Sequence, residues 1–230
     1  MTLPRLNSAD VFIGAKQYYS RGIVAILQGC VQAYKQFLQD GVKCDNNENE
    51  IRDVLVRDYL KKRAFKRKYK LGCFLFDSET VEGAGRADIR VFSPRRNFID
   101  DTQYYLIECK RIDNIGVATV SGLNAKYIAN GINRFVTGLY SCRFKKNGMI
   151  GFVVSRLDID SNVQNINSLF GKGLRDDRNR TVLVQPEQVL KKSKGLVKGF
   201  DYVYTSLHKT SEGKMFKLYH LMFDLSNNIR

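Results

Sequence analysis

The apolar positions of this chain recur with two periods, and each period predicts its own kind of element. Over residues 8–41 the spacing is helical, with Ser8 placed to cap the start and Gly41 to end it. Gly22 or Gly29 is expected to break this stretch into two helices. After a polar loop, residues 49–72 read as the next helix, with Ile51, Leu55 and Tyr59 four positions apart and Val54 beside them. Residues 73–82 and 87–93 read as strands of a hairpin turning near Gly83 and Gly85. A loop then leads to a third strand over 102–112. Residues 119–141 return to helical spacing, and 148–155 are a wholly apolar run suited to a central buried strand. Residues 158–174 predict another helix, and the most polar stretch, 175–195, predicts a loop. Residues 201–226 read as two strands joined by a turn at Ser211, Glu212 and Gly213. The order is helix, three strands, helix, strand. It predicts an α/β chain with a mixed central sheet flanked by helices, an extra N-terminal helical segment and a C-terminal β-hairpin. The expected divisions are a helical extension at 1–45, a core at 46–156, and a helix, basic loop and hairpin packed on that core at 157–230.

The third predicted strand carries the first chemical signal. In "YYLIECKRID", residues 104–113, alternation puts Tyr104, Leu106, Glu108 and Lys110 on one face and Tyr105, Ile107 and Cys109 on the other. Both faces are apolar before Glu108, so the strand should be central, and charges at its end need partners. An acid-x-Lys triplet also occurs at Glu212-Gly213-Lys214, in the predicted turn, so the triplet alone decides nothing. A salt bridge at a strand end is the plainer reading of it. Asp88 supplies the distinction, because it lies in the neighbouring predicted strand. Two carboxylates on adjacent strands beside a lysine suit Mg²⁺, a hard cation that takes oxygen ligands. A lysine beside such a cation can orient a water and offset phosphate charge.

Charge points to the partner. The 230 residues carry a formal net charge of +15, and residues 51–70 hold nine bases against Asp53 and Asp58. A polyanion is the usual partner of such a surface, and nucleic acid is favoured over acidic lipid. Five cysteines without a CxxC pair and only two histidines supply zinc sites and Ser-His-Asp triads poorly. No apolar run reaches the length of a membrane span, and the N-terminus lacks a basic-then-apolar leader, so a cytoplasmic location without membrane attachment is expected.

Asp88, followed about twenty residues later by Glu108-Cys109-Lys110 within that element order, resembles the PD-(D/E)xK nuclease superfamily, the restriction-endonuclease-like fold. The resemblance covers residues 48–155, about half of the chain, and Ala87 stands where the family's name has proline. It implies that Asp88, Glu108 and the Cys109 backbone carbonyl hold Mg²⁺, with Mn²⁺ able to substitute. Lys110 would position the attacking water and steady the transition state. An additional acid on the preceding helix, for which Glu50 fits best and Glu48 next, would touch a second metal or a water; one metal and two are equally compatible. Lys126 occupies the place of a basic residue facing the site from the following helix. Lys61, Lys62, Arg63, Lys66 and Arg67 would contact the phosphate backbone; Arg95 and Arg96, in the loop between the two acidic strands, would either reach a phosphate or stand as an exposed pair. The implied activity is metal-dependent hydrolysis of phosphodiester bonds, in DNA by expectation, as an effector of a defence or mobile-element system. The other reading is a non-catalytic nucleic-acid-binding or scaffold subunit that keeps the fold. The N-terminal helices would serve as a homo-oligomer or partner-docking surface.

Overall fold

The computed structural model describes residues 8–82, 85–92, 104–140 and 145–230, with side chains from residue 22 onward. Helices α1 (Ser8–Gln39), α2 (Glu48–Val54) and α3 (Arg63–Lys68) precede the strands β1 (Leu75–Glu82), β2 (Gly85–Phe92) and β3 (Tyr104–Ile112). A helical run then carries α4 (Leu123–Tyr127), a π-helical stretch (Ile128–Ile132) and α5 (Asn133–Val136). Strand β4 (Lys146–Val153), helix α6 (Ile159–Ser168) and strands β5 (Lys191–Lys192), β6 (Val203–Lys209) and β7 (Met215–Asp224) complete the order. The strands form one seven-stranded sheet in the order β1-β2-β3-β4-β7-β6-β5. Strands β3, β4 and β7 run parallel, and the remaining pairs are antiparallel, so the sheet is mixed.

The apolar strand expected at the centre is there: β4 lies between β3 and β7 and is buried from Asn147 to Val153. The alternation along β3 also holds. Ile107 and Cys109 join one apolar layer, and Leu106 and Ile112 join the other. The C-terminal hairpin turns where expected, at Gly213 (φ +84°), but it is not an appendage. Its strand β7 pairs along the full length of β4 and so extends the central sheet.

Helix α1 is continuous rather than broken. Gly22 and Gly29 are contact points instead: a Cβ on Gly22 would lie 2.7 Å from Tyr105 Oη, and one on Gly29 would lie 2.6 Å from Leu71 Cδ1. The absent side chains let neighbours approach the helix. Ile23, Ile26, Leu27, Cys30, Val31 and Phe37 are buried in the layer that contains Ile150, Leu221 and Phe223. Each such side chain contributes about 1.5–3 kcal/mol by leaving water. Tyr34 stacks on Phe223 at 4.4 Å and donates its hydroxyl to the Asp224 carbonyl at 3.0 Å. This face of α1 is therefore covered by the protein's own sheet.

The helix expected over 49–72 is divided. After α2 the chain takes a π-helical stretch (Leu55–Leu60), which buries the adjacent pairs Leu55-Val56 and Tyr59-Leu60, and Lys62 is extended at ψ 126° before α3. Like charges crowded on neighbouring turns disfavour one long helix through the nine bases of residues 51–70. Within residues 175–195, expected to be a loop, Lys191 and Lys192 form β5, a short edge strand on β6 with both lysines exposed. No helix of the described residues is long and apolar enough to cross a membrane.

Candidate active site

Pairing between β2 and β3 runs from Phe92 opposite Tyr104 to Ile89 opposite Ile107. Beyond that point a side chain replaces the backbone partner: Asp88 Oδ2 accepts the Cys109 amide at 2.7 Å. The end of this ladder is where the charged residues gather.

The Lys110 ammonium lies within a cage of oxygens. It donates to the Cys109 carbonyl at 2.6 Å and to Glu48 Oε1 at 2.8 Å. Glu108 Oε1 is 2.8 Å away and Asp88 Oδ2 is 3.9 Å away. Burial works against this ammonium, but the carboxylates of Glu108, Asp88 and Glu48 outweigh it, raise its pKa and keep it charged. The helical run presses on its stem: a Cβ on Gly131 would lie 2.5 Å from Met149 Cε and 3.4 Å from Lys110 Cγ. Glycine at that position is what allows the close approach.

Glu108 has a fully buried side chain, 0% exposed. Its Oε1 is within ion-pair distance of Lys110 and of Arg134 Nη1, the latter at 3.1 Å. Both cations crowd Oε1, and Oε2 has no hydrogen-bond partner among the described residues. Burial, which the nearby cations only partly offset, pushes its pKa up to about 7. A buried carboxylate with unused lone pairs is costly unless something else satisfies it.

Asp88 is held on both sides. One oxygen takes the Cys109 amide, and the other takes Arg52 Nη1 at 3.0 Å. Arg52 is 2% exposed and also bridges Asp53 at 2.8 Å and Glu79 at 3.0 Å. In the sequence it counted as one of the nine bases of residues 51–70; in the fold it is an interior hub.

Of the two acids considered at the start of α2, the structure brings Glu48 and not Glu50 to Lys110. Asn47 caps α2 by accepting from Asn49 N and Glu50 N, which fixes the phase of the helix. Glu48 then faces the site and accepts Lys110 Nζ and the Arg111 amide, the latter at 2.9 Å. Glu50, two residues on, is roughly 200° around the helix. It points to Arg230 Nη2 at 3.8 Å instead.

Lys126 is exposed and lines the cleft at Lys110, together with Glu48, Arg111, Asn130, Arg134 and Asp177. Lys126, Asn130 and Arg134 are spaced by four, so they share a face of the helical run. That spacing is the signal by which Arg134 was open to discovery. Lys61, Lys62, Arg63, Lys66 and Arg67 do not line this cleft. Lys61 lies 3.9 Å from Asp77 on β1, and Lys66 donates to the Phe74 carbonyl at 3.2 Å. Arg95 and Arg96 lie outside the described residues.

Among the described residues no group of three or more His, Cys, Asp or Glu side chains is disposed as a ready metal cluster. The chain's own cations, Arg52, Lys110 and Arg134, neutralise the acids. The donor set is nevertheless all oxygen, and the unsatisfied Glu108 carboxylate is the kind of group that a hard divalent cation completes. No protein family, curated protein or solved structure matches the chain.

Proposed function

We propose that the chain is a metal-dependent nuclease of the PD-(D/E)xK kind that hydrolyses phosphodiester bonds, with DNA as substrate. One observation carries the reading: the fully buried Glu108 carboxylate, Asp88, Glu48 and the Cys109 carbonyl converge on the single ammonium of Lys110, and Glu108 Oε2 has no hydrogen-bond partner among the described residues. An arrangement built for stability alone would satisfy that carboxylate or omit it.

Glu108, Asp88 and the Cys109 carbonyl would hold Mg²⁺, with Glu48 beside them. Bound there, the cation would polarise a phosphoryl oxygen and lower the pKa of a water. Lys110, kept charged by the surrounding carboxylates, would orient the attacking water and stabilise charge on the phosphoryl oxygens. Arg134 would offset charge from the opposite side of Glu108. Arg52 holds Asp88 in place without entering the cleft, and Lys126 and Arg111 would draw the phosphate backbone to the mouth of the cleft.

The reading is tested by titrating Mn²⁺ into wild type and Glu108→Gln and following binding by calorimetry, with plasmid cleavage measured in parallel. Wild type should bind Mn²⁺ and cleave; Glu108→Gln should lose both. The self-neutralised acids favour a second reading, a nucleic-acid-binding subunit without catalysis. It predicts DNA binding with no Mn²⁺ uptake and no cleavage.

A further inference from the structure

Residues 175–180, "RDDRNR", fold into a built loop rather than a slack one. Arg175 bridges Thr181, Val182 N donates to the Leu174 carbonyl at 3.0 Å, and Asn179 takes a left-handed conformation at φ +59°. The core of the loop is Asp176, whose side chain is 4% exposed. It accepts the Arg178 and Arg180 amides at 3.0 and 2.8 Å and the Arg180 guanidinium at 2.7 Å. Two asparagines of the helical run fix the loop over the site: Asp177 N donates to Asn130 Oδ1 and Leu183 N to Asn133 Oδ1, both at 2.9 Å.

This docking gathers four arginines from three parts of the chain. A cavity of about 150 Å³ is lined by Arg86 from β2, Arg134 from α5, and Arg178 and Arg180 from the loop. At roughly 30 Å³ per water it holds about five waters, or a phosphate group with part of its shell. Three of the four arginines have partners: Arg86 pairs with Glu79, Arg134 with Glu108 and Arg180 with Asp176. Arg178 is exposed, and its guanidinium has no ion pair or hydrogen bond among the described residues. The cavity also adjoins the catalytic cleft, because Asn130, Arg134 and Asp177 line both. An arginine fork is suited to phosphate oxygens; Glu79, Glu108, Asp176 and Asp177 balance the four forks in number, and Arg178 is the fork left without a partner to take a phosphate.

We propose that Arg86, Arg134, Arg178 and Arg180 form a second phosphate site, which takes a backbone phosphate of nucleic acid next to the phosphate held at Glu108 and Lys110. The inference takes its ligand class from the nucleic-acid reading above. Arg134 would then link the two sites, and the loop would set where the strand lies relative to the cleavage point.

The test uses the full chain in EDTA, where binding is measured without cleavage. A labelled oligonucleotide is titrated into wild type, Arg178→Ala and Arg175→Ala. Arg175 lies on the same loop but outside the cavity, so it controls for loss of one charge. Arg178→Ala should weaken binding about tenfold and lower the salt slope by about one ion. Arg175→Ala should change affinity less than threefold. A scan with single neutral methylphosphonates should find one position that weakens wild type about tenfold and leaves Arg178→Ala unaffected. Equal losses in the two variants, or no such position, would overturn the site. Cleavage by wild type without this signature removes the site and leaves the nuclease reading intact. The signature without cleavage does the reverse, and no binding of the oligonucleotide removes both.

Discussion

Arg134 Nη1 stands 3.1 Å from Glu108 Oε1 and donates to Tyr140 Oη at 2.6 Å, while Tyr140 donates to the Arg86 carbonyl. The guanidinium is thus aimed at the carboxylate by an aromatic anchored to β2. If Arg134 offsets charge at the reacting phosphate, Arg134→Met should lower cleavage on the order of 10²-fold, and Arg134→Lys should recover only part, since it restores charge but not the fork. Initial rates on plasmid DNA at saturating Mg²⁺ give the comparison, and wild-type rates in Arg134→Met would remove it from the mechanism.

Glu48 and Glu50 divide cleanly in the fold, and the division is measurable. Glu48→Ala takes a carboxylate from Lys110 and from the Arg111 amide, whereas Glu50→Ala takes only a 3.8 Å contact with Arg230. Cleavage should fall tenfold or more in Glu48→Ala, and Glu50→Ala should stay within about twofold of wild type. The opposite order would return the role to Glu50.

Arg52 predicts a stability effect. Removing it leaves Asp88 with a buried oxygen and no cation at 3.0 Å. Arg52→Ala should cost about 3–5 kcal/mol, because breaking a buried pair strands the other charge. Arg57→Ala, whose side chain is 68% exposed, should stay within about 0.5 kcal/mol of wild type. Urea midpoints of the two variants check the contrast, and equal shifts would place Arg52 at the surface.

A buried chain of hydrogen bonds predicts the acid response. Tyr127 Oη lies 2.8 Å from His220 Nδ1, Ser206 Oγ lies 2.7 Å from His220 Nε2 and 2.5 Å from His208 Nε2, and His208 Nδ1 lies 3.1 Å from Gln188 Oε1. Burial lowers His208 to about 3, and burial together with His208 lowers His220 well below its ordinary value. The unfolded histidines take up protons near pH 6.5 and the folded ones do not. This contribution is therefore fully present above about pH 6.5 and is lost as pH falls toward 3. From pH 7 to 5 the two histidines should cost roughly 3–4 kcal/mol together. His208→Gln should roughly halve that dependence in urea melts, and an unchanged dependence would contradict it.

Much of this was legible from local patterns. Strand alternation placed Glu108 and Lys110 together, and the hairpin placed Asp88 beside them. The two acid-x-Lys triplets separate as their contexts imply. Lys110 is 10% exposed within a cage, while Lys214 pairs with Glu212 at 2.7 Å with both side chains 71% exposed. What was hidden depends on phase and on long-range pairing. Glu48 is distinguished from Glu50 by where Asn47 starts the helix, a matter of one or two residues. Arg52 looked like surface because two of its three acidic partners, Glu79 and Asp88, come from distant strands. Arg134 shares the spacing of Lys126 and Asn130, but its ion pair with Glu108 joins a helix to a strand and is not local in sequence. The insertion of β7 beside β4 is likewise a nonlocal choice between two apolar edges.

The most direct measurement is plasmid cleavage by wild type, Lys110→Ala and Lys214→Ala in Mg²⁺, Mn²⁺ and EDTA, with folding of each variant checked by its melt. The account predicts cleavage by wild type and Lys214→Ala in either metal, none in EDTA, and none by folded Lys110→Ala. Cleavage that survives in Lys110→Ala or in EDTA, or a wild type that binds DNA but cuts it in no metal, would contradict it.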